Sequence, residues 1–136
     1  MVRLVIVDDH RLVREAWKRV LSRDERIAII AVCDNGEQAV EAARKLDPDV
    51  MMMDITMHPL NGIEATRFIR EFSSSVRIIG VSVHSDLAHV KAIMNAGANG
   101  YVTKNSSAEE MINAIMEVMD GKTYLCKEIY GYHVKE

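Results

Sequence analysis

The chain is short of the residues that staple, coat or anchor a protein. Cys33 and Cys126 are its only cysteines in 136 residues, and they form no Cys-x-x-Cys pair. A disulfide framework is therefore excluded, and two free thiols in a reducing cytoplasm are expected. Positive charge is not in excess: 17 Lys and Arg stand against 20 Asp and Glu, for a net charge of -3. A sequence-independent grip on nucleic acid needs clustered Lys and Arg to displace counterions, so that class is excluded. A separate DNA-binding domain or partner stays open. No long apolar run is present either. The first, Leu4 to Val7, meets Asp8 and Asp9 at once. It is too short for a signal-peptide core or a membrane span, so a soluble, cytoplasmic protein with no membrane contact is expected. There is no low-complexity tract and no repeat beyond the alternation described next.

What is present is an ordinary globular balance, 49% hydrophobic and 27% charged, at the length of one domain. Short apolar runs alternate with helical spacing. Leu4 to Val7, Ile27 to Val32, Val50 to Met53, Val76 to Val83 and Tyr101-Val102 read as strands. Between them, Leu12 to Leu21, Ala39 to Leu46, Ile63 to Phe72 and Leu87 to Ala96 repeat as helices, and Ile112 to Met119 closes the series. Asn35-Gly36, Asn61-Gly62, Gly97 and Gly100 punctuate the turns. Ser106 or Ser107 with Glu109 or Glu110 forms a helix start. Five strands, each followed by a helix, predict a flavodoxin-like (βα)5 fold. This is a doubly wound α/β architecture with a parallel five-stranded sheet in the order 2-1-3-4-5. In such sheets ligands bind outside the carboxyl ends of the strands.

Those ends carry a consistent polar set. Asp8, Asp9 and His10 follow the first strand, Asp54 the third, Ser82 ends the fourth, and Lys104 follows the fifth. Carboxylates gathered in one cleft repel, and a divalent cation relieves the conflict. Hard oxygen ligands favour Mg²⁺ (or Mn²⁺), which keeps part of its water shell. Lys104 adds a mobile point charge and Ser82 a hydroxyl donor. The set suits phosphoryl transfer onto a carboxylate nucleophile, Asp54. His10, His58 and His84 fall at the same edge without a recognised zinc spacing. They are read as lining the cleft. Arg11, Arg14 and Lys18 form a basic helix face, either solvated or docking an acidic partner. Trp17 and the methionines are read as packing residues.

Taken together, Val5-Ile6-Val7-Asp8-Asp9-His10, Pro48 to Asp54, Asn61-Gly62-Ile63-Glu64-Ala65, Val81-Ser82-Val83-His84, Ala96 to Lys104 and Gly121 to Leu125 resemble the receiver domain of two-component response regulators. The likeness is nearest to the NarL/LuxR type. It spans residues 1–122, with 123–136 left as a linker or C-terminal tail. The resemblance implies that Asp54 is the phosphoacceptor. It implies Mg²⁺ on Asp8, Asp9, Asp54 and the backbone carbonyl of Thr56, and phosphoryl binding by Ser82 and Lys104. Tyr101 would be the switch aromatic that turns inward when Ser82 moves toward the phosphate. Separately from the resemblance, Thr56 and His84 sit where an attacking water would approach and are expected to tune the phosphate's lifetime. The implied donor is a sensor histidine kinase or a small acyl phosphate. The implied dimer surface is the fourth helix with the fifth strand and helix. Regulators of this type carry a helix-turn-helix domain that this chain does not include, so DNA contact would come only through it. No turnover beyond the domain's own phosphorylation and dephosphorylation is expected.

One departure is visible. The family places proline four residues after the phosphoacceptor, where this chain has His58, with Pro59 next and Gly62 in its usual place. That moves the loop's rigid φ by one residue and leaves a degenerate, phosphorylation-independent interaction module as the alternative. Two further readings fit less well. A haloacid-dehalogenase-like phosphatase needs Asp-x-Asp after the first strand, and Asp54-Ile55-Thr56 lacks the second acid. A flavodoxin-like cofactor binder needs a Ser/Thr/Gly-rich phosphate loop where Asp8-Asp9-His10 stands.

Overall fold

The computed structural model describes residues 1–83 and 86–129. In chain order, β1 (Val2–Val7) leads to α1 (Arg11–Leu21), and β2 (Ile27–Cys33) to α2 (Gly36–Leu46). Next come β3 (Val50–Asp54) with α3 (Gly62–Arg70) and β4 (Arg77–Ser82) with α4 (Leu87–Ala96). β5 (Gly100–Thr103), α5 (Ala108–Met119) and β6 (Tyr124–Leu125) complete the series. All neighbouring strands run parallel, in the order β2-β1-β3-β4-β5-β6. The chain is thus a doubly wound α/β fold with the expected order 2-1-3-4-5. The sheet has six strands and not five. The added strand is two residues long, below the length at which alternation can signal a strand. It falls in the segment expected as linker or tail.

β3 lies between β1 and β4, and every residue of it is buried. Met51, Met52 and Met53 are at most 1% exposed, because helices cover both faces of the sheet. α1 packs beside α5, and α3 packs between α2 and α4. Trp17 and Leu21 turn α1 inward, with Met111, Ala114, Ile115 and Val118 doing so on α5. Cys33 and Cys126 are free and buried. No helix among the described residues is long and apolar enough to cross a membrane.

The helix starts match the punctuation in the sequence. Asn35 accepts from the Gln38 N–H, and Asn61 forms a capping box with Glu64. Ser107, not Ser106, caps α5 by accepting from the Glu110 N–H. Gly97 ends α4 at φ 115°, a left-handed backbone that glycine adopts without strain. Behind it, Arg70 donates to the carbonyls of Gly97, Ser73 and Val76 and to the Asn99 side chain. Asn99 Oδ1 also accepts from the Ile78 N–H. This knot fastens the start of β5 to β4.

Candidate functional site

β1 feeds α1 on one face of the sheet while its other neighbour, β3, feeds α3 on the opposite face. The crevice at their carboxyl ends is where such folds hold ligands. Asp8 follows β1 and is 2% exposed; Asp54 ends β3 and is fully buried. The Asp8 N–H is anchored on the Cys33 carbonyl, and Arg14 Nη1 donates to the Asp8 carbonyl at 2.8 Å. Gly62 backs Asp54 so closely that a Cβ there would collide with the Asp54 carbonyl oxygen. The glycine at that position is therefore a packing requirement.

The two oxygens of Asp54 have different partners. Oδ1 accepts from the Thr56 N–H at 3.1 Å and from the Thr56 hydroxyl at 3.0 Å. Oδ2 faces Lys104 Nζ at 3.3 Å. Lys104 Nζ also lies 3.0 Å from Asp8 Oδ2, so one ammonium bridges both buried carboxylates. Burial pulls the Lys104 ammonium down, yet its contacts with Asp8 and Asp54 outweigh that pull and hold its pKa above the ordinary value. Burial also pushes Asp8 above its ordinary value, aided by the Asp54 charge and opposed by the His10 N–H and Lys104. The site is therefore short of positive charge.

Asp9 is exposed at the rim. His10 Nδ1 lies 2.9 Å from Asp9 Oδ1 and 3.4 Å from Asp8 Oδ1. One ligand atom from each of Asp8, Asp9, His10 and Asp54 falls within 4.8 Å of all the others. This acidic pocket suits a hard divalent cation, since most of the donors are carboxylate oxygens. The sequence pattern marked His10 only as lining the cleft. Its adjacency to Asp8-Asp9 was the available signal for a nearer position.

Ser82 and Tyr101 complete the edge. Ser82 is fully buried, lies opposite Thr103 in β5, and its carbonyl accepts from the Lys104 N–H at 2.8 Å. Tyr101 is fully buried as well. Burial pushes its hydroxyl up to about 12, partly offset by a hydrogen bond from the Ser82 side chain. His58 is exposed and precedes Pro59 through a cis peptide bond. His84 lies outside the described residues. The fold thus gathers Asp8, Asp9, Asp54, Ser82 and Lys104 at one edge, with Thr56 on Asp54 and Tyr101 on Ser82.

A family model described as the response regulator receiver domain matches residues 4–116. The chain is 36% identical over 135 residues to the transcriptional regulatory protein DegU of Brevibacillus brevis, covering 99% of this chain and 57% of that protein. It is 36% identical over 129 residues to the response regulator UvrY of Escherichia coli strain K12, covering 95% of this chain and 59% of that protein. It therefore spans less than two-thirds of these relatives. Among solved structures, a LuxR-family two-component response regulator from Aurantimonas sp. SI85-9A1 superposes with a TM-score of 0.95 at 33% identity, covering 99% of this chain and 96% of that one.

Proposed function

This chain belongs to the response regulator receiver domain family, and from that membership we propose that Asp54 is its phosphoacceptor. The supporting observation is the bridge of Lys104 across Asp8 and Asp54, with the remaining Asp54 oxygen held by Thr56. A buried carboxylate oriented in this way is a positioned nucleophile beside a fixed positive charge.

The donor set fits Mg²⁺ or Mn²⁺ on Asp8, Asp9, Asp54 and the Thr56 carbonyl. When bound, the cation neutralises phosphoryl charge and supplies the positive charge the pocket lacks. An Asp54 oxygen attacks the phosphorus of a phosphohistidine or acyl phosphate. The new O–P bond forms as the donor's P–N or P–O bond breaks, and the donor nitrogen or oxygen keeps the electron pair. Lys104 then exchanges its Asp54 contact for a phosphoryl oxygen, and Ser82 donates its hydroxyl to another. Tyr101 responds to that change. Thr56, and His84 beyond the described residues, set access for the hydrolytic water. The lifetime of the acyl phosphate in Thr56→Ala measures that role.

We assign the donor to a sensor histidine kinase in the cytoplasm, and catalysis to the domain's own phosphorylation and dephosphorylation alone. Residues 1–122 are read as the receiver, and β6 (Tyr124–Leu125) with the buried Cys126 and Ile129 extends it past that bound. Its relatives' names support a transcriptional output, delivered to DNA by a helix-turn-helix domain outside this chain. Homodimerisation through α4, β5 and α5 would use the side chains of β6 as well, because β6 lies along the outer edge of β5.

The test is intact mass after incubation with acetyl phosphate, in Mg²⁺ and in chelator. One phosphoryl adduct that needs Mg²⁺ and is absent from Asp54→Asn supports an active receiver. No adduct would favour the phosphorylation-independent module, to which the displaced proline at His58-Pro59 points.

A further inference from the structure

Among the described helices, every one but the first opens on a side chain that caps it. Asn35, Asn61, Asp86 and Ser107 each accept from the backbone N–H three residues on, at the starts of α2, α3, α4 and α5. At the start of α1 that position belongs to His10, whose side chain makes no capping bond. Histidine is not preferred there, where a short oxygen-bearing side chain satisfies an orphan donor. No acidic residue follows in the first turn to compensate. A local rule set aside in this way marks a residue kept for function.

The ring is turned towards the carboxylates instead. His10 Nδ1 lies 2.9 Å from Asp9 Oδ1 and 3.4 Å from Asp8 Oδ1. Neighbouring ligands on one ion have such separations: donors at right angles, each about 2.1 Å from a divalent metal, stand about 3.0 Å apart. Asp8 Oδ1 also accepts from the His10 N–H at 2.8 Å, so the backbone that places the ring places that oxygen too. The His10 side chain is 66% exposed. The ring can therefore approach an ion or swing out to water without opening the core.

We propose that His10 Nδ1 is a conditional ligand of the Asp8-Asp9-Asp54 site, joining borderline transition-metal ions such as Co²⁺ and standing aside for Mg²⁺. This rests on the reading of those carboxylates as a metal site. Mg²⁺ is a hard ion that takes oxygen donors and keeps water, so the ring offers it nothing that a water molecule does not. Imidazole suits the later first-row ions, and Co²⁺ stands above Mn²⁺ in their order of affinity. Ligation uses the neutral ring, with its proton on Nε2. A plain ion pair would instead leave Nδ1–H donating to Asp9, with no lone pair to offer. As a ligand, His10 sets which cation the pocket holds.

Calorimetric titration of the chain with Co²⁺ and with Mg²⁺, in wild type and in His10→Ala, separates the two. The ring is exposed and caps nothing, so the variant should fold, and urea unfolding checks that it does. His10→Ala should weaken Co²⁺ binding by about tenfold or more, since losing groups that only orient a ligand already costs about 10–100-fold. Mg²⁺ affinity should be unchanged. Proton NMR of the Co²⁺-loaded chain should show a paramagnetically shifted, exchangeable imidazole N–H that is lost in His10→Ala and kept in His58→Ala. Equal Co²⁺ affinity in wild type and His10→Ala, or a shifted N–H that survives in that variant, overturns the proposal. An equal loss for both ions overturns it too, because His10 would then only position the carboxylates. Binding of neither ion to the wild type overturns the metal reading itself, and the role of His10 falls with it.

Discussion

Replacing Asp8 by Asn should stabilise the metal-free protein and remove its response to Mg²⁺. Asp8 is 2% exposed, so its charge carries a desolvation penalty of several kcal/mol. Its oxygen lies 3.0 Å from Lys104 Nζ, an attraction of about 5–6 kcal/mol at an effective dielectric of 20. Asp54 stands within 4.8 Å, a repulsion of about 3–4 kcal/mol on the same scale. Attraction less repulsion leaves about 2 kcal/mol to set against desolvation. The upward shift of Asp8 shows that desolvation and repulsion win. The sign follows. A carboxyl raised in the folded state contributes stability that is full below its ordinary pKa of 3.8 and is lost as pH rises through the raised value. Asn imitates the protonated form at every pH. At neutral pH in chelator it should therefore gain about 1 kcal/mol, or about 3–5 °C in Tm. The gain should shrink towards zero as the solution is acidified. In Mg²⁺ at a hundredfold excess over Kd the wild type should gain about 2.7 kcal/mol, and the variant little of it. Urea unfolding in both solutions checks this. A variant less stable than wild type in chelator, or equally stabilised by Mg²⁺, would refute the reasoning.

The other side of the same bridge gives an alkaline counterpart. Lys104→Met leaves two buried carboxylates facing each other, and should cost about 3 kcal/mol in chelator, measured by urea unfolding. The wild-type ammonium is raised, so its contribution is full below the ordinary 10.5 and lost as pH climbs through the raised value; the variant should show no such decline. Gly62→Ala should cost more than about 2 kcal/mol by forcing Asp54 aside, and should slow phosphoryl uptake as seen by intact mass. Gly121→Ala, with φ 83° and open space around it, should cost only about 1 kcal/mol and leave uptake intact. Arg70→Met breaks the knot behind β5 and should cost about 3 kcal/mol in urea unfolding without changing Mg²⁺ affinity measured by calorimetry.

Much of this was legible in the residues because each level repeated the same message. Strands buried on both faces must be continuous apolar runs, and Val50 to Met53 is such a run, so the carboxylate that ends it is conspicuous. Asp54 and Ser82 each close a strand, Asp8 and Lys104 each follow one, and parallel topology alone brings such positions to one edge. Caps were readable from Asn35, Asn61 and Ser107 because their side chains answer known orphan donors. What escaped depended on partners far apart in sequence. Asn99 looks like a turn residue until Arg70 and Ile78 are set beside it. The sixth strand carries no periodic signal in two residues. It exists because Glu110 and the β5 backbone supply its bonds. The division of Asp54's oxygens between Thr56 and Lys104 is likewise a matter of distance, which residue order does not encode.

The most direct test of the central claim is to locate the phosphoryl group. Borohydride reduces an aspartyl phosphate to homoserine, so peptide mapping after acetyl phosphate and reduction reads the acceptor residue. Homoserine at position 54, formed in Mg²⁺ and absent in chelator, is the predicted result. Homoserine at position 8 or 9, or phosphate found only on another residue, would contradict it.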